Sequence, residues 1–136
     1  MKSREEEIKA HEGKYIKIKF LYGNSHTLVQ PRADTDNRHE WAVYVKPARP
    51  EAKKYIDSII FRLHSSFHVP VRTVKKTPFE VKAIGWGYFT IPITIKWKKK
   101  YQLKDKEIEH LLCFDGTGKE SSFFLEIERS KVSGDN

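Results

Sequence analysis

A single cysteine, Cys113, stands among the 136 residues of this chain. It excludes an intramolecular disulfide and favours a reducing compartment. No apolar run approaches the roughly 20 residues of a membrane span, so no membrane association is expected. The opening MKSREEEIKA has no apolar core and does not read as a secretory signal. Acids are also in short supply: 18 Asp and Glu face 26 Lys and Arg, a formal charge of +8. That imbalance favours an acidic partner, with nucleic acid first in line. The six histidines show no metal-ligand spacing, and neither a metal nor another cofactor is expected.

What the chain does have is period-two alternation. KYIKIKFLY puts Ile16, Ile18 and Phe20 opposite Lys17 and Lys19, and EWAVYVK puts Trp41, Val43 and Val45 opposite Glu40, Tyr44 and Lys46. DSIIFRLH, PFEVKA, the run from Tyr88 to Trp97, IEHLLCF and SSFFLEIER continue the pattern. No long helix is legible; PEAKKYI could hold one turn after Pro50. Asp115-Gly116-Thr117-Gly118 reads as a hairpin turn between the last two strands. Seven or eight short strands with turn signals between them predict an all-β, immunoglobulin-like antiparallel sandwich without a disulfide. One domain over 13–130 is expected, with flexible segments at 1–12 and 131–136.

Two segments do not suit a core strand. GWGYF places Trp86 between Gly85 and Gly87, and LHSSF places Phe67 after Ser65 and Ser66 at a strand end. Phe67 could simply cap the sandwich edge. If the two segments meet at one end of the sandwich, where recognition loops cluster, Phe67 and Trp86 form two walls of a slot. Ser66 would add a hydroxyl, and Gly87 would leave a backbone N–H open. A planar, neutral, polar group suits such a slot, and an acylated lysine is one.

At these residues the chain resembles a YEATS domain, closest to the branch found in histone-variant-exchange remodellers and histone acetyltransferase complexes. The motifs are YGN (Tyr22–Asn24), H-x-W-x-V-Y-V-K-P (His39–Pro47), LHSSF, P-x-R-x-V…P-F-E-V (Pro70–Val81) and GWG-x-F (Gly85–Phe89). The resemblance implies an immunoglobulin-like fold that reads acetyl-lysine, and often crotonyl-lysine better, on histone tails, with histone H3 the expected partner. It implies a nuclear protein acting beside subunits of a chromatin complex. Phe67 and Trp86 match the aromatic sandwich, His64 and Ser66 match pocket-lining positions, and His39 matches a histidine of the first recognition loop. The backbone of Trp86 and Gly87 matches the part that meets the acyl amide. Ser65, Gly85 and Tyr88 are placed to flank the peptide. Ser65 and Tyr88 stand where relatives often carry acids, and Thr77 stands where a second proline is usual.

Acylation removes the lysine charge, which a slot without a carboxylate solvates poorly, and creates a planar amide. A methyl-lysine cage is the rival among binding modules, since paired aromatics also hold cations, yet no acid lies nearby in sequence. KWKKKYQLKDK offers six lysines interleaved with Trp97 and Tyr101. Lys96, Lys98, Lys99, Lys100 and Lys104 are therefore candidate nucleic-acid contacts, the alternative being a solvated segment that discourages edge pairing. Asp34, Asp36 and Glu40 are candidates for steering a basic tail. No enzyme is expected: His64 with Ser66, or His110 with Cys113, lacks an orienting acid.

Overall fold

The computed structural model describes residues 14–29, 38–85 and 88–132. Eight strands run in chain order: β1 (Tyr15–Val29), β2 (Arg38–Pro47), β3 (Ile56–Arg62), β4 (Val71–Val74), β5 (Glu80–Gly85), β6 (Thr90–Trp97), β7 (Lys106–Leu111) and β8 (Gly118–Glu128). Short 3-10 turns occupy Pro50–Tyr55, Lys99–Tyr101 and Arg129–Lys131. The strands form two four-stranded sheets, ordered β5-β2-β1-β8 and β4-β3-β6-β7. All pairings are antiparallel. The chain is an all-β sandwich.

Alternation decides which residues meet between the sheets. Ile59 and Phe61 of β3 and Ile91, Ile93 and Ile95 of β6 are fully buried, facing Phe20 of β1 and Val43 and Val45 of β2. Each such side chain contributes about 1.5–3 kcal/mol by leaving water. Phe123 stacks on Phe20 and Trp97 tilts against it, each with ring centroids 5.4 Å away. The helical turn expected after Pro50 is a 3-10 turn, which buries Ala52 and Tyr55.

Three features depart from the sequence reading or go beyond it. The first strand continues through Tyr22-Gly23-Asn24 to Val29, because β1 pairs with both β2 and β8 along that stretch. The Asp115–Gly118 turn is present, with the Gly118 N–H donating to the Asp115 carbonyl at 3.0 Å. It does not make a hairpin. β7 pairs with β6, and β8 pairs with β1, so the turn carries the chain from one sheet to the other. The expected flexible segment 1–12 lies outside the described residues, as do 133–136 of the C-terminal one; Lys131 and Val132 are half-buried at the last 3-10 turn.

Candidate functional site

His39 is the second residue of β2, β5 ends at Gly85, Leu63 follows β3 and Thr90 opens β6. His39 and Gly85 are register partners, and the rings of Phe67 and Phe89 lie 5.6 Å apart. One end of the sandwich thus gathers segments from both sheets.

Phe67 is held by its loop. Its N–H donates to the His64 carbonyl at 3.0 Å, and the Leu63 N–H donates to Pro70 at 2.8 Å. Arg72 Nη2 donates to the His68 carbonyl at 2.9 Å and its Nε to the Val69 carbonyl. The Phe67 ring is half-buried, edge-on to Trp41 at 6.0 Å and tilted against Phe89. Such pairs add about 0.5–1.5 kcal/mol beyond burial and fix the ring's orientation.

Gly85 gives this corner space rather than a turn. Its φ lies outside the left-handed range, so no sharp turn requires glycine there. A Cβ at this position would lie 3.7 Å from Phe67 Cζ and 3.8 Å from Trp41 Nε1. Its missing side chain therefore leaves room beside Phe67. Trp41 Nε1–H is buried and has no hydrogen-bond partner among the described residues. A buried donor without a partner is uncommon and suits a place where a ligand or water completes it.

His64 and Ser66 form the polar side. The Ser66 N–H donates to His64 Nδ1 at 3.1 Å, and Ser66 Oγ lies 2.8 Å from the same nitrogen. Nδ1 is therefore the acceptor, and the ring proton sits on Nε2. Ser66 donates its hydroxyl hydrogen inward and keeps its oxygen lone pairs for a donor outside. Ser65 is exposed next to it.

A row of rings flanks this corner. His39 stacks on Phe114 at 4.2 Å and 9°, and Tyr88, exposed, leans on Phe114 at 4.7 Å. His26 Nδ1 donates to the Gly116 carbonyl at 2.9 Å, and His26 Nε2 shares a hydrogen with His39 Nδ1 at 2.6 Å. Sequence reading found His39, which sits on β2 rather than in a loop, and missed His26 and Phe114. His26 would have been visible had the alternation been followed past Gly23.

Trp86 and Gly87 lie outside the described residues, as do Asp34 and Asp36. The structure therefore brings together His39, His64, Ser66, Phe67, Gly85 and Tyr88. Glu40 is exposed on β2. The candidate lysines sit elsewhere: Lys96 is near the end of β6 and pairs with Asp105 at 3.2 Å, and Lys98, Lys99, Lys100 and Lys104 surround the following 3-10 turn. Among the described residues, no three His, Cys, Asp or Glu side chains are placed to hold a metal. Cys113 is half-buried, and its backbone, not its thiol, is engaged by Asn24.

Comparison with known proteins gives a consistent picture. Residues 36–116 match the sequence signature of the YEATS family. Subunit 14b of transcription initiation factor TFIID from Arabidopsis thaliana is 35% identical over 98 residues, covering 71% of this chain and 37% of that protein. Protein AF-9 homolog from Candida glabrata is 31% identical over 97 residues, covering 68% of this chain and 44% of that one. The chain thus spans less than half the length of these relatives. A crystal structure of the Yaf9 YEATS domain bound to H3K27ac superposes with a TM-score of 0.74 at 21% identity, over 84% of this chain and 86% of the other. That likeness concerns the fold.

Proposed function

The chain belongs to the YEATS family, and from that premise we propose that it reads acylated lysine on a histone tail, with crotonyl preferred to acetyl. The observation that carries the reading is Phe67 locked edge-on to Trp41 beside the side-chain-free Gly85, with the Ser66 hydroxyl on the same loop. Phe67 is one wall, and Trp86, next in the chain after Gly85, is the other. Ser66 Oγ accepts from the acyl amide N–H, and the Trp86–Gly87 backbone meets its carbonyl. The unpartnered Trp41 N–H is a further donor at the base. His39 and Tyr88 border the path of the flanking peptide. The role is binding, not catalysis. It is a nuclear role, alongside subunits of a chromatin-modifying or remodelling complex.

Two net hydrogen bonds of about 0.5–1.5 kcal/mol each and stacking of similar size suit a tens-of-micromolar complex, about −6 to −7 kcal/mol. A crotonyl group extends the amide's flat conjugated face and stacks on more ring area than a methyl. The test is calorimetric titration of an H3-tail peptide in unmodified, acetylated, crotonylated and trimethylated forms, beside Trp86→Ala. Crotonyl tightest, acetyl weaker and both lost in Trp86→Ala is the expected pattern. Equal binding of all forms, unaffected by the substitution, would overturn the slot. A trimethylated peptide that outbinds the acyl forms would make it a cation cage.

A further inference from the structure

We infer that Arg72 is a positioning residue for the acyl slot: its guanidinium holds Val69 in a left-handed backbone conformation and so fixes the loop that carries Ser66 and Phe67. Val69 has φ 54°. In that region Cβ crowds the following carbonyl oxygen, and the second branch at Cβ makes valine one of the residues least suited to it. Gln102, the other described non-glycine residue with positive φ, is unbranched and caps the second 3-10 turn. The Val69 side chain is 55% exposed, so its own packing does not hold the conformation. Pro70 follows and disfavours the right-handed helical region, which leaves extended backbone as the relaxed alternative.

Two carbonyls hold Val69 instead. The carbonyl groups of His68 and Val69 are separated only by the φ and ψ of Val69, because the peptide units on either side are planar. Both accept from one side chain: Arg72 Nη2 donates to the His68 carbonyl at 2.9 Å, and Arg72 Nε donates to the Val69 carbonyl. A planar guanidinium presents these N–H groups in a fixed fork, so it satisfies both oxygens only while Val69 keeps one pair of torsions. The bonds are charge-assisted, and among the described residues no acid pairs with Arg72 to compete for the fork. Arg72 is itself anchored on β4, as register partner of the fully buried Phe61.

The loop depends on this anchor. Ser65, Ser66 and His68 are exposed and Phe67 is only half-buried, so core burial does little to fix their backbone. The Leu63 N–H closes the loop on the Pro70 carbonyl at 2.8 Å, and the Phe67 N–H reaches the His64 carbonyl at 3.0 Å. Val69 lies between those two bonds. Relaxed to extended backbone, it would swing His68 away and draw Ser66 and Phe67 from their places beside Gly85. The slot is thus assembled before a ligand arrives, and apparent affinity scales with the fraction of molecules whose Val69 is left-handed. The effect of Arg72 on affinity rests on the acyl-lysine reading, whereas its effect on the loop does not.

The test makes two measurements on the same variants. One is solvent exchange of the Phe67 amide proton, by NMR on the free protein; the other is calorimetry with the crotonylated H3-tail peptide. Arg72→Gln, and Arg72→Lys, which keeps the charge but not the fork, should each speed the exchange about five- to thirtyfold, the scale of the left-handed cost that the fork offsets. Peptide affinity should fall by a similar factor. Arg72→Gln/Val69→Asn should recover most of both losses, because asparagine tolerates the left-handed region. A residue that merely stabilised the sheet would allow no such rescue. Val69→Asn alone disturbs no buried group and should raise the melting temperature at wild-type affinity. Arg72→Lys equal to wild type would overturn the fork, and a double variant as impaired as Arg72→Gln would overturn Val69 as the point of control. Faster exchange with unchanged peptide affinity would overturn the part of Arg72 in the slot. Wild-type protein that binds no acylated peptide would overturn the acyl-lysine reading, and the exchange rates would still decide whether Arg72 holds Val69.

Discussion

In the proposed slot, Ser66 would use one hydroxyl for two purposes. Its hydrogen points at His64 Nδ1, which already accepts the Ser66 N–H, so the loop is fixed before any ligand arrives. The oxygen lone pairs remain for an amide N–H. Ser66→Ala should therefore weaken the acyl peptide by about 0.5–1.5 kcal/mol, roughly two- to twelvefold, with the melting temperature nearly unchanged because the side chain is exposed. Calorimetry on the crotonylated peptide checks this, and an unaltered affinity would remove Ser66 from the slot. Phe67→Ala should behave otherwise. It loses packing on Trp41 and Phe89 as well as the wall, so binding and stability fall together. Ser66 and Phe67 stand out in the sequence because they follow a strand end, where an aromatic has no obvious core position, whereas His64 joins them only through the family resemblance. His26 and Phe114 do not stand out. Alternation along β1 reaches His26 only if it is followed past Gly23, and the stacking of Phe114 with His39 joins positions far apart in the chain that no local pattern announces.

Among the elements, the alternating strands were readable wherever apolar residues marked every second position. β1 shows where that signal stops. After Tyr22 it runs through Gly23 and Asn24, residues that ordinarily mark a turn, yet the strand continues because both pair with β2 and β8, and β8 approaches too closely for a side chain at Gly23. A Cβ on Gly23 would lie 2.1 Å from the Lys119 carbonyl oxygen and 2.9 Å from Glu120 Cα. Both atoms belong to the backbone of β8 and cannot swing aside. Gly23→Ala should destabilise the fold by about 1–3 kcal/mol or more, read as a lower urea midpoint, by pushing β8 from β1. A midpoint equal to wild type would mean that β8 yields freely there. The last connection was misread for a related reason. Turn chemistry at Asp115–Gly118 is local, but whether the following strand returns to the same sheet depends on β1 offering β8 its partner edge.

At the scale of the whole molecule, a polar bridge joins the two sheets in addition to the apolar core. Asn24 on β1 donates through Nδ2 to the Cys113 carbonyl at 2.8 Å, and its Oδ1 accepts the Cys113 N–H at 2.9 Å. The same Oδ1 accepts from His110 Nε2 at 2.6 Å, which reaches it from β7 in the opposite sheet. His110 is buried, and Tyr22 meets its ring edge-on at 6.1 Å. Burial, and then the Lys119 charge, lower its pKa below the ordinary value near 6.5. The native ring therefore stays neutral where the unfolded chain would already be protonated. As pH drops below about 6.5, the unfolded state takes up the extra proton first, so stability falls through the window between that value and the native pKa. Above the window this group's contribution is complete. Below it, both states are protonated and the loss levels off. Thermal melts of wild type should be flat from about pH 8 to 7 and decline from there toward pH 5.5. His110→Gln keeps an N–H for Asn24 but cannot titrate. Its melting temperature should decline less over the same range, whatever its value at neutral pH. Parallel declines in the two proteins would place the acid sensitivity elsewhere and leave the bridge between the sheets purely structural.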